Sequence, residues 1–352
     1  MSSLRAGRSG AVDAWLVELL PANMTATSSS HLATLWSSYG HLYRISVRME
    51  GSMPISLVLK HINAPARSDA SISHRRKLKS YAVERYFYQH LASRLPTTVA
   101  VAVSYPTRSS GALLLEDLNA KYSRPASGRM DRLDTNVVLT WLAGFHATFW
   151  GQRGVVPPPS EMDSGIPEAS VNGVWEQGTY FYLDTRQDEL AAIDDGGEYA
   201  FLLPWASKVN EQLALERAAG RCTLLHGDAK DANIMFSPTR ECALVDFQYV
   251  GAGVPTLDIA YFLGTSVRAS LLQGEGEVQL LRVYHEALAT ALRARESSVE
   301  YSWDTFLRHW ELALVDWSRF MAGWGFWGND VWVVARCRSI VEKWSKQGFP
   351  PP

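Results

Sequence analysis

The hydrophobic pattern changes period several times along the chain. Residues 41–47 carry Leu42, Tyr43, Ile45 and Val47, and residues 55–59 carry Ile55, Leu57, Val58 and Leu59. Runs this rich in β-branched, aromatic and aliphatic residues predict strands, and Gly51-Ser52 between them supplies the turn of an antiparallel pair. Lys60 ends the second run. Residues 77–95 shift to helical spacing through Leu78, Tyr81, Ala82, Tyr86, Leu91 and Leu95, with Glu84 in the middle and Pro96 as the stop. The apolar run 112–115 predicts a short buried strand that leads into Glu116-Asp117-Leu118-Asn119, and residues 121–131 are polar and turn-rich.

Beyond that break, Val138, Leu142, Phe145 and Phe149 predict a buried helix over 135–150, ended by Gly151. An excursion without regular structure is expected over 151–175, which contains Pro157-Pro158-Pro159. Helical spacing returns at 198–218, short strands flank Asp228 and Asp246, and helices follow to the C-terminus. A β-rich part, 1–117, followed by a mostly helical part, 118–352, predicts an α+β protein of two lobes with a cleft between them.

Composition narrows the partners. Over 352 residues, 34 basic and 36 acidic side chains leave a formal charge of -2, so no global field draws the chain to nucleic acid or an anionic membrane. The basic run His74-Arg75-Arg76-Lys77 is too small an electrostatic footprint for nucleic acid and reads as a solvated loop. Cys222, Cys242 and Cys337 are odd in number and lack CxxC spacing, which favours neither a disulfide framework nor a zinc site and fits a reducing compartment. The apolar stretch 11–20 is broken by Asp13 and Glu18, unlike a secretory signal, and no run approaches a transmembrane span. A soluble cytoplasmic protein is expected, with an organellar presequence around Arg5 and Arg8 as the weaker alternative. The oligomeric state is not encoded in any of these features.

The chemistry concentrates in 224–248. Asp228 is followed by Asn233 five residues on and by Asp246 thirteen beyond that, each beside an apolar strand-like run. A carboxylate at 228 can orient an acceptor hydroxyl and take its proton, while Asn233 and Asp246 offer hard oxygens for Mg²⁺, which needs few protein ligands. Lys230 is placed to meet a transferring phosphate, and Lys60 with Glu84 suits an ion pair whose lysine binds nucleotide phosphates. Taken singly, HGD reads as a turn, Lys60 as a strand-end surface lysine and Glu84 as a solvated helix residue. Their common order favours phosphoryl transfer over those separate readings.

His226-Gly227-Asp228 with Asn233, Asp246-Phe247-Gln248, and Gly253 through Asp258-Ile259-Ala260-Tyr261-Phe262-Leu263 resemble the aminoglycoside phosphotransferase and choline kinase superfamily. The DFQ form, Glu84-Arg85-Tyr86-Phe87-Tyr88 and Leu142-Ala143-Gly144-Phe145-His146-Ala147 resemble its ecdysteroid-kinase-like branch. The resemblance covers about residues 35–350 and is strongest over 224–263. It implies a protein-kinase-like fold, ATP with adenine at Glu116 and Leu118 and phosphates at Lys60, Mg²⁺ at Asn233 and Asp246, and Asp228 as base. His226 and Asp258 would support the catalytic loop. One departure is Ser37-Ser38-Tyr39-Gly40, a nucleotide loop with one glycine and no GxGxxG.

The acceptor is less legible. Trp303, Trp310, Trp317 and Trp324 recur every seven residues, joined by Phe306, Phe320 and Trp327, so one helix face is aromatic. Core packing explains such a face; the other reading lines an acceptor pocket for a cation or an apolar ring system, together with Asp304, Asp316 or Asp330. The expectation is therefore an ATP- and Mg²⁺-dependent kinase of a small hydroxylated molecule, with a pseudokinase-like nucleotide- or metabolite-binding module as the alternative. A protein kinase fits less well, because 251–258 leads almost at once into an apolar helical run with no activation segment.

Overall fold

Alternation in the first half of the chain builds an antiparallel sheet. The computed structural model describes residues 14–64, 71–156, 172–295 and 299–349; the Arg5/Arg8 presequence reading and the Pro157-Pro158-Pro159 excursion lie outside them. The strands are β1 (Met24–Thr34), β2 (Gly40–Met49), β3 (Ile55–Ile62), β4 (Ser104–Tyr105) and β5 (Ala112–Glu116), in the order β1-β2-β3-β5-β4. Helix α1 (Ala14–Leu19) adds Leu16 and Leu19 to a core with Ile45, Val47, Leu57, Leu59 and Leu114. Successive strand residues face opposite ways, so Lys60 leaves β3 on the face away from Leu57 and Leu59. It is nevertheless buried, unlike a strand-end surface lysine.

Strand β1 has no counterpart in the hydrophobic pattern. Only Met24 and Ala26 along it are buried, and the remainder is a serine-rich edge with register shifts after Ala26 and His31. An edge strand with little apolar area leaves no period-2 signal.

The chain divides into two compact units. One takes Met1–His74 and Ala102–Lys121; the other takes Arg75–Val101 and Tyr122–Pro352. Helix α2 (Ile72–Tyr86) thus belongs mostly to the second, and it continues as a π turn over Phe87–Leu91. The second unit contains α3 (Arg132–Thr148), α4 (Gln187–Ala191), α5 (Ala206–Ala218), α6 (Thr256–Ser266), α7 (Gly276–Ala294), α8 (Trp303–Trp324) and α9 (Asp330–Gln347). Asp131 caps α3 by accepting the Asp134 N–H at 2.9 Å. Short strands β6 (Arg124–Pro125), β7 (Thr223–Leu225), β8 (Ile234–Phe236), β9 (Cys242–Leu244) and β10 (Gly251–Gly253) pair as β6-β8-β9 and β10-β7. The expected order of an antiparallel sheet followed by a mostly helical part is the order observed. No helix among the described residues is long and apolar enough to cross a membrane.

The run His74-Arg75-Arg76-Lys77 is not a solvated loop. It lies in α2, and Arg76 is buried, donating through Nη1 to Tyr180 O at 2.6 Å and through Nη2 to Thr179 O at 2.7 Å. Its guanidinium stacks on Tyr182 and Tyr249, and burial lowers its pKa to about 10. These partners come from a hundred or more residues away, beyond the reach of any local pattern.

Candidate active site

Gly227 sets the shape of the loop after β7. Its φ is +82°, and a Cβ there would lie 2.2 Å from Tyr249 O, so only glycine fits. The Asp258 carboxylate, buried at the start of α6, accepts from His226 N at 2.7 Å and Gly227 N at 2.9 Å. His146 Nε2 lies 3.1 Å from the same carboxylate, and its Nδ1 lies 2.7 Å from Tyr284 OH. The His226 ring is buried, reaches Val245 O from Nε2 at 3.0 Å and packs on Phe247. Burial pulls its pKa below the usual histidine range, although Asp258 opposes this.

That scaffold presents Asp228, which is 5 % exposed. Its Oδ1 accepts from Lys230 Nζ and Tyr261 OH, both at 2.9 Å. Its Oδ2 accepts from Lys230 Nζ at 3.1 Å and Asn233 Nδ2 at 2.9 Å. Burial raises the Asp228 pKa; Lys230 opposes the rise and the neighbouring Asp246 charge adds to it. Four accepted bonds use the capacity of a carboxylate, so a substrate hydroxyl can enter only where one donor leaves.

The β8–β9 hairpin brings Asn233 and Asp246 to one end. Ile234 pairs with Leu244, and Val245 N donates to Asn233 O at 3.0 Å. Asn233 Nδ2 is committed to the main-chain and side-chain oxygens of Asp228, both at 2.9 Å, which turns its amide oxygen elsewhere. Asp246 has φ +69°, a left-handed conformation that L side chains take up only with support. Gln248 is part of that support: Nε2 donates to Asp246 Oδ1 at 2.5 Å, while Oε1 accepts from Ser80 Oγ at 2.9 Å and Lys77 Nζ at 3.2 Å. Lys77, Ser80 and Glu84 share one face of α2. Glu84 is buried, not solvated, and it acts together with Asp246 on Tyr88, whose pKa burial first pushes well up.

The structure therefore gathers Asp228, Lys230, Asn233 and Asp246, and both Glu84 and Asp246 act on Tyr88. Lys60, Glu116 and Leu118 belong to the first unit. Glu116 accepts Val103 N at 3.2 Å, and Leu118 is buried at the start of a short turn. Between them, Asp117 accepts from Arg44 Nε at 2.6 Å and Ser56 Oγ at 2.7 Å. Burial raises the Asp117 pKa, but these bonds outweigh it and leave the group below its ordinary value. In the glycine-poor loop, Ser37 and Ser38 hold φ of 56° and 61°, the conformation that glycine favours. Gly40 itself sits so close to His61 O that a Cβ would lie 2.1 Å away.

Tyr261, Gln248, Lys77 and Ser80 are site residues the sequence reading did not single out. The signal for Tyr261 was its place one turn after Asp258 on an apolar helix, which reads equally well as core. Along α8, Phe306, Trp310, Trp317 and Phe320 are buried, as the packing reading expects, and Asp316 is spent on Arg319 Nη2 at 2.7 Å. Trp324 and Trp327 remain 48 % and 37 % exposed. They reach inward through Phe320 and Trp317 to Tyr180 and Tyr261.

Residues 196–296 match the ecdysteroid kinase-like family, and the resemblance read from the motifs holds over that segment. The chain is similar in structure to choline kinase from Cryptosporidium parvum Iowa II, with a TM-score of 0.52 at 12% identity over 96% of this chain and 93% of that one. Other similar structures are the amicoumacin kinase hAmiN (0.48, 14%, covering 97% and 96%) and choline kinase LicA from Streptococcus pneumoniae (0.45, 14%, covering 94% and 95%). No curated protein matches in a sequence search. The choline kinase likeness establishes the fold.

Proposed function

We propose that this chain, related to the ecdysteroid kinase-like family through residues 196–296, is an ATP-dependent kinase that transfers the γ-phosphoryl group to a hydroxyl of a small molecule. The observation that supports this most is the buried Asp228 carboxylate ringed by Lys230, Tyr261 and Asn233 and adjacent to Asp246. Asp228 is the base that orients the acceptor hydroxyl and takes its proton. Lys230 is the donor that leaves: its side chain is 30% exposed, whereas Tyr261 and Asn233 are buried. Swinging towards the transferring phosphate, it vacates the carboxylate for the acceptor and places positive charge where negative charge develops. Tyr261 and Asn233 keep the carboxylate oriented throughout.

The residues present fit Mg²⁺. The donors would be the amide oxygen of Asn233 and the carboxylate of Asp246, hard oxygens of the class Mg²⁺ takes, and Mg²⁺ needs few ligands from the protein. When bound, the ion supplies neutralising charge at the phosphate oxygens. Lys60 would hold nucleotide phosphates, Glu84 would orient that lysine, and Glu116 and Leu118 would flank adenine.

The aromatic wall beside Asp228 favours an apolar ring over a cationic acceptor. The Arg186 guanidinium, ion-paired with Glu189 at 3.0 Å, already lies over Tyr180, Phe320 and Trp324 at 5.4 to 5.5 Å, so those ring faces are taken. The test is ADP release from Mg·ATP with a panel of hydroxylated ring compounds. Wild type turns over with at least one acceptor, and Asp228→Ala loses roughly 10²- to 10⁴-fold, the usual worth of a general base. No turnover with any acceptor leaves a nucleotide-binding module in place of an enzyme.

A further inference from the structure

A cavity of about 380 Å³ opens in the second unit, lined by none of the residues assigned to phosphoryl transfer, and arginine dominates its lining. Arg124, Arg129, Arg240 and Arg268 face it, against only Asp131 and Asp134 as acids. Both acids are committed. Asp134 accepts from Arg124 Nη1 at 2.8 Å and Nη2 at 3.0 Å, and from Arg240 Nη1 at 3.2 Å. Asp131 caps α3 through Oδ1, which also takes Arg240 Nη1 at 3.2 Å, and the capping bond first of all holds its pKa low. The two aspartates therefore neutralise Arg124 and Arg240 and leave nothing for the others.

Arg129 has no hydrogen-bond or ion-pair partner for its guanidinium among the described residues. Arg268 uses only Nε, donating to Arg129 O at 3.2 Å, and both its terminal nitrogens remain available. The lining thus carries an excess of two positive charges in one concavity. The frame is rigid: Met130 N donates to Ser266 O at 3.0 Å, and Arg268 N to Met130 O at 3.1 Å. Arg240 adds a second sign of construction, since it holds φ at +66°, where glycine would sit more easily, while its side chain reaches Asp131 and Asp134.

We propose that this pocket is a binding site for a dianionic phosphate group, free or carried on a small metabolite. Planar guanidinium forks match phosphate oxygens two at a time, and the volume lies at the small end of ligand pockets. Ser266 also accepts the Asp231 N–H through Oγ at 2.9 Å, so the pocket wall and the loop carrying Asp228 share an anchor. The pocket is independent of the kinase reading and survives its failure.

Calorimetric titration of the full chain with inorganic phosphate and, separately, with glycerol phosphate tests this. Wild type is expected to bind, and R129Q/R268Q to bind roughly tenfold more weakly or worse, about 1.4 kcal/mol. Both side chains are exposed, so the variant's thermal midpoint should match wild type, and R129K/R268K, which keeps charge but loses the forks, should fall between. Tighter binding of the ester identifies a phosphorylated metabolite as occupant, and equal binding identifies the phosphate group alone. No heat with either ligand, or unchanged affinity in R129Q/R268Q, overturns the proposal, because any phosphate bound then sits elsewhere.

Discussion

Tyr261 donates its hydroxyl to Asp228 Oδ1 at 2.9 Å, from a ring that is fully buried against Trp317. The bond favours the ionised carboxylate and works against the burial that raises the Asp228 pKa. Removing it in Tyr261→Phe therefore raises that pKa further. The predicted effect is a shift of the acid limb of the activity profile to higher pH, with kcat falling several-fold and KM for ATP unchanged. A profile that keeps its acid limb in place would show that Tyr261 only fills space.

Gln248 predicts a metal phenotype. Its bond to Asp246 is one of those that hold a left-handed aspartate, and a hydrogen bond to a charged group contributes about 1.5–3 kcal/mol. Gln248→Ala should raise the Mg²⁺ concentration needed for half-maximal turnover by roughly tenfold or more, and it should also lower the thermal midpoint, because Gln248 is buried and its loss strips Asp246 and Ser80 of a partner. Ser80→Ala, one bond further out on α2, should give a smaller effect in the same direction.

The backbone of the glycine-poor loop makes a third prediction. Ser38 holds φ at 61°, where glycine avoids the steric cost but adds freedom to the unfolded chain. Ser38→Gly should leave stability within about 1 kcal/mol of wild type, whereas Gly40→Ala, which drives a Cβ into His61 O, should lose several times that. Denaturant midpoints of the two variants decide it.

Acid stability follows from Glu216. Its bond to His309 Nε2 at 2.9 Å, helped by Arg221, holds it far below its ordinary value of 4.5 despite partial burial. A depressed carboxylate contributes stability above its unfolded pKa and loses it as pH falls through the interval below. Burial also lowers the His309 pKa from 6.5, which removes stability in the same direction as pH drops. Wild type should therefore exceed Glu216→Gln in thermal midpoint at neutral pH, with the gap closing from about pH 4.5 downwards. A constant gap would show that the carboxylate's charge contributes nothing.

The sequence was most legible where chemistry and local period coincide. Short apolar strands lie between Asn233 and Asp246, so local spacing keeps those two close, and β2, β3 and α3 follow from apolar runs and helical spacing, whereas α2 begins at Ile72, five residues before the expected start. Strand β1 was not legible because a serine-rich edge buries too little to leave a pattern. Arg76 was misread because its neighbours in sequence are basic, while the carbonyls and tyrosines that bury it come from residues 179–182 and 249. Gln248 and Tyr261 lay within the quoted motifs, but their hydrogen bonds run to partners fixed only by tertiary packing.

The most direct measurement is thermal unfolding of wild type and Asp246→Ala across a titration of ATP with and without Mg²⁺. Ligand at a hundred times its dissociation constant adds about 2.7 kcal/mol to stability, a readily visible shift in midpoint. The proposed kinase site predicts a shift in wild type that requires Mg²⁺ and disappears in Asp246→Ala. No shift in wild type at millimolar ATP, or an equal shift in both proteins, would contradict it.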